Sequence, residues 1–320
     1  MEGAVSEFFQ HEGGHQSGDF TESAGVRPLG VKFWGVRGSI PVPGPDTAVF
    51  GGNTSCVEVC VGGERMILDA GSGIRALGRE MAGEGDAHGG EDQGGLRGTI
   101  LLTHTHWDHI QGLPFFAPGY QGRNRFRVFG PGEGGGGIRD ALAGQMQRPY
   151  FPVSLEQMAG LCFEALPQGR FCPASGVEVD WCRAEHPGFC VGYRIRTSDG
   201  TLVYLPDNEH LGPRVPVGGL REFIRGADLL IADAQYTADE YPRRRGWGHG
   251  CVDDVVAESL EAGVRHLVLF HHDPSHDDEF LSGVLARARE QAEEAGGGLL
   301  VDMAKEGQCL ELGCRALVSS

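Results

Sequence analysis

The apolar positions of this chain fall into short, separated runs. Ile100-Leu101-Leu102 is branched, follows a glycine-rich stretch and reads as a buried strand, as do Val191-Gly192-Tyr193-Arg194-Ile195 and Leu267-Val268-Leu269-Phe270. Met66-Ile67-Leu68 and Leu202-Val203-Tyr204-Leu205 are similar runs, each soon followed by a carboxylate, Asp69 and Asp207. Helix candidates lie between them, Arg75 to Met81 and Val252 to Ala262, the second starting at Asp253-Asp254. Such alternation predicts an α/β fold. No apolar run approaches the roughly 20 residues that span a bilayer, so no membrane partner is expected.

The polar stretches set the boundaries. Residues 1 to 29 are rich in Gly, Glu, His and Ser without an apolar segment, and read as a disordered tail in which His11 and His15 are ordinary residues. A single domain is expected over 30–320, interrupted by a flexible, acidic, Gly-rich insertion at Gly83 to Gly95. The 53 glycines suit a fold whose chemistry resides in loops at strand ends. Nine cysteines without a C-x-x-C pair read as reduced core residues of a cytoplasmic protein, with Cys56, Cys60 and Cys190 in strand-like runs.

One segment carries the strongest chemical signal. Leu101-Leu102-Thr103-His104-Thr105-His106-Trp107-Asp108-His109 places three imidazoles and a carboxylate on the turn leaving a strand. Imidazole nitrogen with carboxylate oxygen suits zinc, manganese or iron(II), whereas a thiolate-rich set would suggest a closed structural zinc.

The pattern His-x-His-x-Asp-His resembles the signature of the metallo-β-lactamase-fold hydrolases. That family's other markers follow in order: Asp69 after its apolar run, an isolated His at Glu185-His186-Pro187-Gly188, Asp207 after Leu205-Pro206, and His271 after Phe270. The resemblance implies a four-layer αβ/βα sandwich with the site at one edge between two sheets. It further implies one ion on His104, His106 and His186, a second on Asp108, His109 and His271, and Asp207 bridging them. Two divalent ions are therefore expected, zinc first and manganese second, with a bridging hydroxide as nucleophile and Asp108 serving as catalytic carboxylate as well as ligand.

Two features select a branch of that family. Gly246-Trp247-Gly248-His249-Gly250-Cys251 resembles the segment of the phosphodiesterase branch in which a His helps the leaving oxygen depart, with Gly250 and Cys251 where hydroxyl residues are usual. Between His186 and Asp207 there is room for only two strands and a turn, not for the long RNA-binding arm of ribonuclease Z. A formal charge of −17 also argues against a long nucleic acid, because affinity for a polyanion comes from Lys and Arg. A small (cyclic) phosphodiester is the expected substrate, and His249 the expected general acid. Lactone or thioester hydrolysis and tRNA 3′-processing stay open as alternatives, a redox or purely binding role is disfavoured, and a homodimer is allowed.

Other segments have two readings each. Arg37 and Asn53, in stretches flanking the first hairpin, serve either the pocket or packing; Gln145 to Pro152 either holds a phosphate and stacks a base or packs; Arg243-Arg244-Arg245 is a solvated loop before it is a phosphate clamp. His271 is favoured over its neighbour His272 as ligand.

Overall fold

The computed structural model describes residues 29–87, 95–132, 137–209, 220–296 and 298–313. Apart from Leu29, the N-terminal tail expected at 1–29 lies outside these residues, as does most of the Gly-rich insertion.

The elements run β1 (Leu29–Gly35), β2 (Cys56–Val61), β3 (Glu64–Leu68), α1 (Ile74–Ala87), β4 (Arg97–Leu101), α2 (Trp107–Ile110), β5 (Arg125–Gly130), α3 (Ile138–Gln145), β6 (Leu161–Ala165) and β7 (Phe171–Ala174). They continue with β8 (Val177–Arg183), β9 (Val191–Arg196), β10 (Thr201–Leu205), α4 (Leu220–Ile224), β11 (Leu229–Asp233), α5 (Val252–Glu261), β12 (His266–Phe270), α6 (Asp278–Glu294), β13 (Leu300–Met303) and β14 (Cys309–Leu312). Two seven-stranded mixed sheets result, ordered β14-β1-β2-β3-β4-β5-β6 and β13-β12-β11-β10-β9-β8-β7. In the first, β3 to β6 are parallel; in the second, β10 to β13 are parallel.

The parallel strands are apolar throughout because both faces are covered. In β12, Val268 and Phe270 face the first sheet, joining Phe33, Leu68, Leu101, Tyr193 and Tyr204 in a core between the sheets. Leu267 and Leu269 face the other way, onto Val255 and Val256 of α5 and Leu281 and Val284 of α6. Across the molecule, Ile67, Ile100 and Val128 pack against Leu77 and Met81 of α1 and Leu142 of α3. Helix, sheet, sheet, helix is the four-layer αβ/βα sandwich that the sequence led one to expect.

Three local readings are modified. Helix α1 runs on to Ala87, past Met81 and into the stretch expected to be flexible. Burial of Leu77 and Met81 anchors the helix, after which each further residue adds a hydrogen bond without a new nucleation step. The segments around Arg37 and Asn53 are the two ends of the long connection between β1 and β2, tied where Val36 N and Arg37 N both donate to Asn53 O. Of the eight cysteines in the described residues, all free, Cys172 and Cys309 are exposed and so are not core residues.

Candidate metal centre

Parallel strands deliver their C-terminal ends to one rim, which is where open α/β sheets build their sites. Asp69 follows β3, and Thr103 through His109 follow β4, with Asp108 and His109 in the single turn of α2. From the other sheet come His186 after β8, Asp207 after β10, Asp233 at the end of β11 and His271 directly after β12. His249 lies on the loop entering α5. Among the described residues only three that are not glycine have positive φ, Ser39 (63°), Asp69 (60°) and His271 (62°), and all three belong to this rim. Such strain persists only where surrounding contacts over-determine it. A Cβ on Gly38 would lie 2.4 Å from the His271 ring, so the backbone is pressed directly against that imidazole.

All seven sequence-predicted metal ligands converge. His104, His106 and His186 form one group and Asp108, His109 and His271 another, with the nearest donor atoms of each group all within 4.8 Å. Asp207 lies between them: Oδ1 is 3.7 Å from His186 Nε2, while Oδ2 is 2.9 Å from His109 Nε2 and 3.5 Å from His271 Nε2. His186 Nε2 and His106 Nδ1 are 2.9 Å apart, and His271 Nε2 is 3.1 Å from Asp108 Oδ2.

The opposite nitrogens of most of these rings are already committed. His109 Nδ1 donates to Asp69 Oδ2 at 2.7 Å, His271 Nδ1 to Gln235 Oε1 at 3.0 Å, His186 Nδ1 to Gly248 O at 2.8 Å and His104 Nδ1 to Thr103 Oγ1 at 3.1 Å. Asp69 in turn accepts from Thr103 N and from Tyr204 Oη. Fixing Nδ1 in this way aims the Nε2 lone pairs inward, as outer partners of ligating histidines do.

Buried His104 Nε2 has no hydrogen-bond partner and Asp207 Oδ2 has none beyond the His109 ring 2.9 Å away, although an unsatisfied buried polar atom costs about 1–3 kcal/mol. Cations between the two groups would satisfy both, so the donor set fits a pair of divalent ions with nitrogen and oxygen preference. The electrostatics agree. Burial pushes the Asp207 carboxyl up, but His109, His271 and His104 outweigh it and hold it well below the usual range. Burial pulls His109 down, yet Asp207, Asp108 and Asp69 together raise it well above an ordinary imidazole, a field that would equally stabilise a metal ion. His104 is driven well below the usual range by burial and by its neighbouring imidazoles.

His249 stands beside this centre. Its ring stacks on His271 at 4.9 Å, and Nδ1 donates to Asp233 Oδ2 at 2.9 Å. Burial lowers its pKa, but the Asp233 carboxylate more than compensates and lifts it to about 9. Asp233 was missed in the sequence, although Leu229-Leu230-Ile231-Ala232-Asp233 repeats the apolar-run-then-Asp pattern of Asp69 and Asp207. Gln235, Thr103 and Tyr204 carried no comparable signal.

The remaining candidates take packing roles or stay at the margin. Arg37 is fully buried and donates to the backbone oxygens of Gly51, Asp273 and His276, so it clasps loops. Asn53 is held by Glu306 and Ser72. Gln145 donates to Ile110 O behind α2, Phe151 packs edge-on against Phe115, and Tyr150 is exposed. Arg243, Arg244 and Arg245 are exposed. His272 turns away from the centre and donates to Ala304 O.

Comparison with known proteins gives one family and distant relatives. The family model described as "Beta-lactamase superfamily domain" matches residues 64–272. Ribonuclease Z of Shouchella clausii (strain KSM-K16) is 24% identical over 219 residues, covering 54% of this chain and 68% of that protein. The metallo-β-lactamase fold protein YhfI from Bacillus subtilis superposes with a TM-score of 0.62 at 22% identity, over 89% of this chain and 100% of that one. Unliganded yeast PDE1 gives 0.63 at 17% identity, over 90% and 100%. Among the described residues no helix is long and apolar enough to cross a membrane.

Proposed function

The chain belongs to the β-lactamase superfamily domain family, and from that premise we propose that it is a dinuclear metal-dependent phosphodiesterase acting on a small phosphodiester. In this reading His104, His106 and His186 hold one divalent ion, Asp108, His109 and His271 the other, and Asp207 both. Bound there, such ions supply Lewis acidity and a water of lowered pKa, with zinc first and manganese second as candidates.

The observation that carries the choice of phosphodiester is His249. Its Nδ1 is committed to Asp233, which leaves Nε2 as the nitrogen able to release a proton. The Asp233 carboxylate favours the charged ring, which stacks on His271 with Nδ1 3.7 Å from Asp207. As the bond from phosphorus to the leaving oxygen breaks, that proton passes to the departing alkoxide, a poor leaving group without it. Asp233 then stabilises the ring in either state and fixes its tautomer. Asp108 is steadied by Ser39 N at 2.7 Å, which keeps its carboxylate turned toward His271.

The size of the substrate follows from what lies between His186 and Asp207, which is the β9–β10 hairpin alone, and from a chain of charge −17. Ribonuclease Z among the relatives supports tRNA as the second substrate to try. Free thiols throughout the described residues support a reducing, cytoplasmic setting, and nothing in this reading needs a second copy.

His249→Ala tests the reading. With an alkoxide-leaving diester the variant loses about 10²- to 10⁴-fold in rate, and with a nitrophenolate-leaving diester much less, at wild-type metal content. Equal losses on both would remove the acid role. Cleavage of a lactone or thioester, but of neither diester, by the metal-loaded wild type would make the reading wrong.

A further inference from the structure

Two exposed tryptophans adjoin residues of the metal centre in the chain, each on backbone held by hydrogen bonds. Trp107, 73% exposed, lies between the cluster residues His106 and Asp108 at the start of α2, where His109 N bonds His106 O and Gln111 N bonds Trp107 O. Trp247, 54% exposed, lies on the loop to His249. Glu209 grips that loop on both sides of the indole, accepting from Gly246 N at 2.6 Å and Gly248 N at 2.8 Å. Gly248 has φ +89° and a Cβ there would fall 2.4 Å from His186 Nδ1, so the loop is fitted against the metal-binding imidazole. The two residues are joined through the centre itself, Trp107 next to His106, His106 in contact with His186, and His186 bonded to Gly248 next to Trp247.

A single exposed aromatic is ordinary on a protein surface, but two indoles held next to residues of one centre offer flat faces that a ring can cover. The surroundings are specific, because the Arg244 guanidinium lies 4.6 Å from the Trp247 ring centroid, with exposed Arg243 and Arg245 next to Arg244 in sequence, in a chain of charge −17. Flat aromatic faces with local positive charge, a few residues from a phosphate-cleaving centre, match a nucleobase joined to a phosphodiester. We propose that Trp107 and Trp247 form a base-stacking rim, so that the substrate is a nucleotide phosphodiester. This rests on the phosphodiesterase reading above and narrows its substrate class.

The test pairs a base-bearing diester, adenosine 2′,3′-cyclic phosphate, with a base-free one, glycerol cyclic phosphate, on metal-loaded protein. Trp107→Ala and Trp247→Ala raise KM for the adenosine compound by about 5- to 150-fold, the worth of one stacked base. The rise for glycerol cyclic phosphate is at least tenfold smaller, and Trp→Phe at either position recovers most of the loss. Independently of turnover, adenosine monophosphate quenches the tryptophan fluorescence of the wild type and quenches each Ala variant less. Equal effects on both diesters, or no quenching, would overturn the stacking role. So would variants that change only the mass in solution or retention on anionic vesicles, since the rim would then dock a second copy or a membrane. A wild type that cleaves neither diester but opens a lactone instead overturns the phosphodiesterase reading first, whereas diester cleavage indifferent to both tryptophans overturns this inference alone.

Discussion

At the scale of single residues, the centre is organised by one carboxylate and three strained backbones. Asp207 turns one oxygen toward each ligand group, so Asp207→Ala should lower occupancy of both sites together, to well under two ions per chain by elemental analysis. Loss of only one ion would assign the carboxylate to one side. Adjacent histidines give a second check. The left-handed turn at His271 throws that ring into the centre and sends His272 to Ala304 O. Metal titration should therefore find His271→Ala weakened at least tenfold, in line with the removal of a direct ligand, and His272→Ala near wild type. A larger loss from the second variant would reverse the assignment.

Whole elements show what the sequence made legible. A candidate site residue that ends a buried apolar run announces itself, because the run and the polar residue that breaks it are neighbours in the chain; Asp69, His104, Asp207 and His271 were all visible for that reason. Partners brought together only by the fold leave no such trace: Tyr204 reaches Asp69 from 135 residues away, and His249 reaches His271 only through a loop whose shape Glu209 sets. Arg37 is the clearest case, a buried cation whose partners are backbone oxygens and so have no residue type to read. Helices α1 and α5 were legible as ranges, Arg75 to Met81 and Val252 to Ala262, whereas α6 was not. The buried face of α6 carries Leu281, Val284, Ala288 and Ala292, and it covers the second sheet. Leu281→Ala removes a side chain from the middle of this layer and should lower the free energy of unfolding by about 2–5 kcal/mol in urea titrations. A change under 0.5 kcal/mol would mean that α6 merely rests on the sheet.

On the scale of the molecule, each ligand group is shared between the two sheets. His104 and His106 follow β4 and are met by His186 from beyond β8; Asp108 and His109 are met by His271 from the end of β12. Ions held there would tie the halves of the sandwich together, so metal affinity is also folding stability. Chelation of the purified protein should lower its melting temperature by several degrees, and readdition of zinc should restore it. An identical melting curve before and after chelation would show that the core between the sheets holds them without help.

The pairing of β1 with β14 sets an order in time. Leu29 lies opposite Leu312, so the first sheet, built from the first half of the chain, takes its outermost strand from the far end. While the chain is being synthesised, β1 can already pair with β2 on one side, but its other edge keeps unsatisfied amides and carbonyls until Cys309–Leu312 has left the ribosome. For the interval in which the second sheet is made, the nascent protein therefore carries an open strand edge. Until that edge is closed, other unfinished copies of the chain are competitors for it.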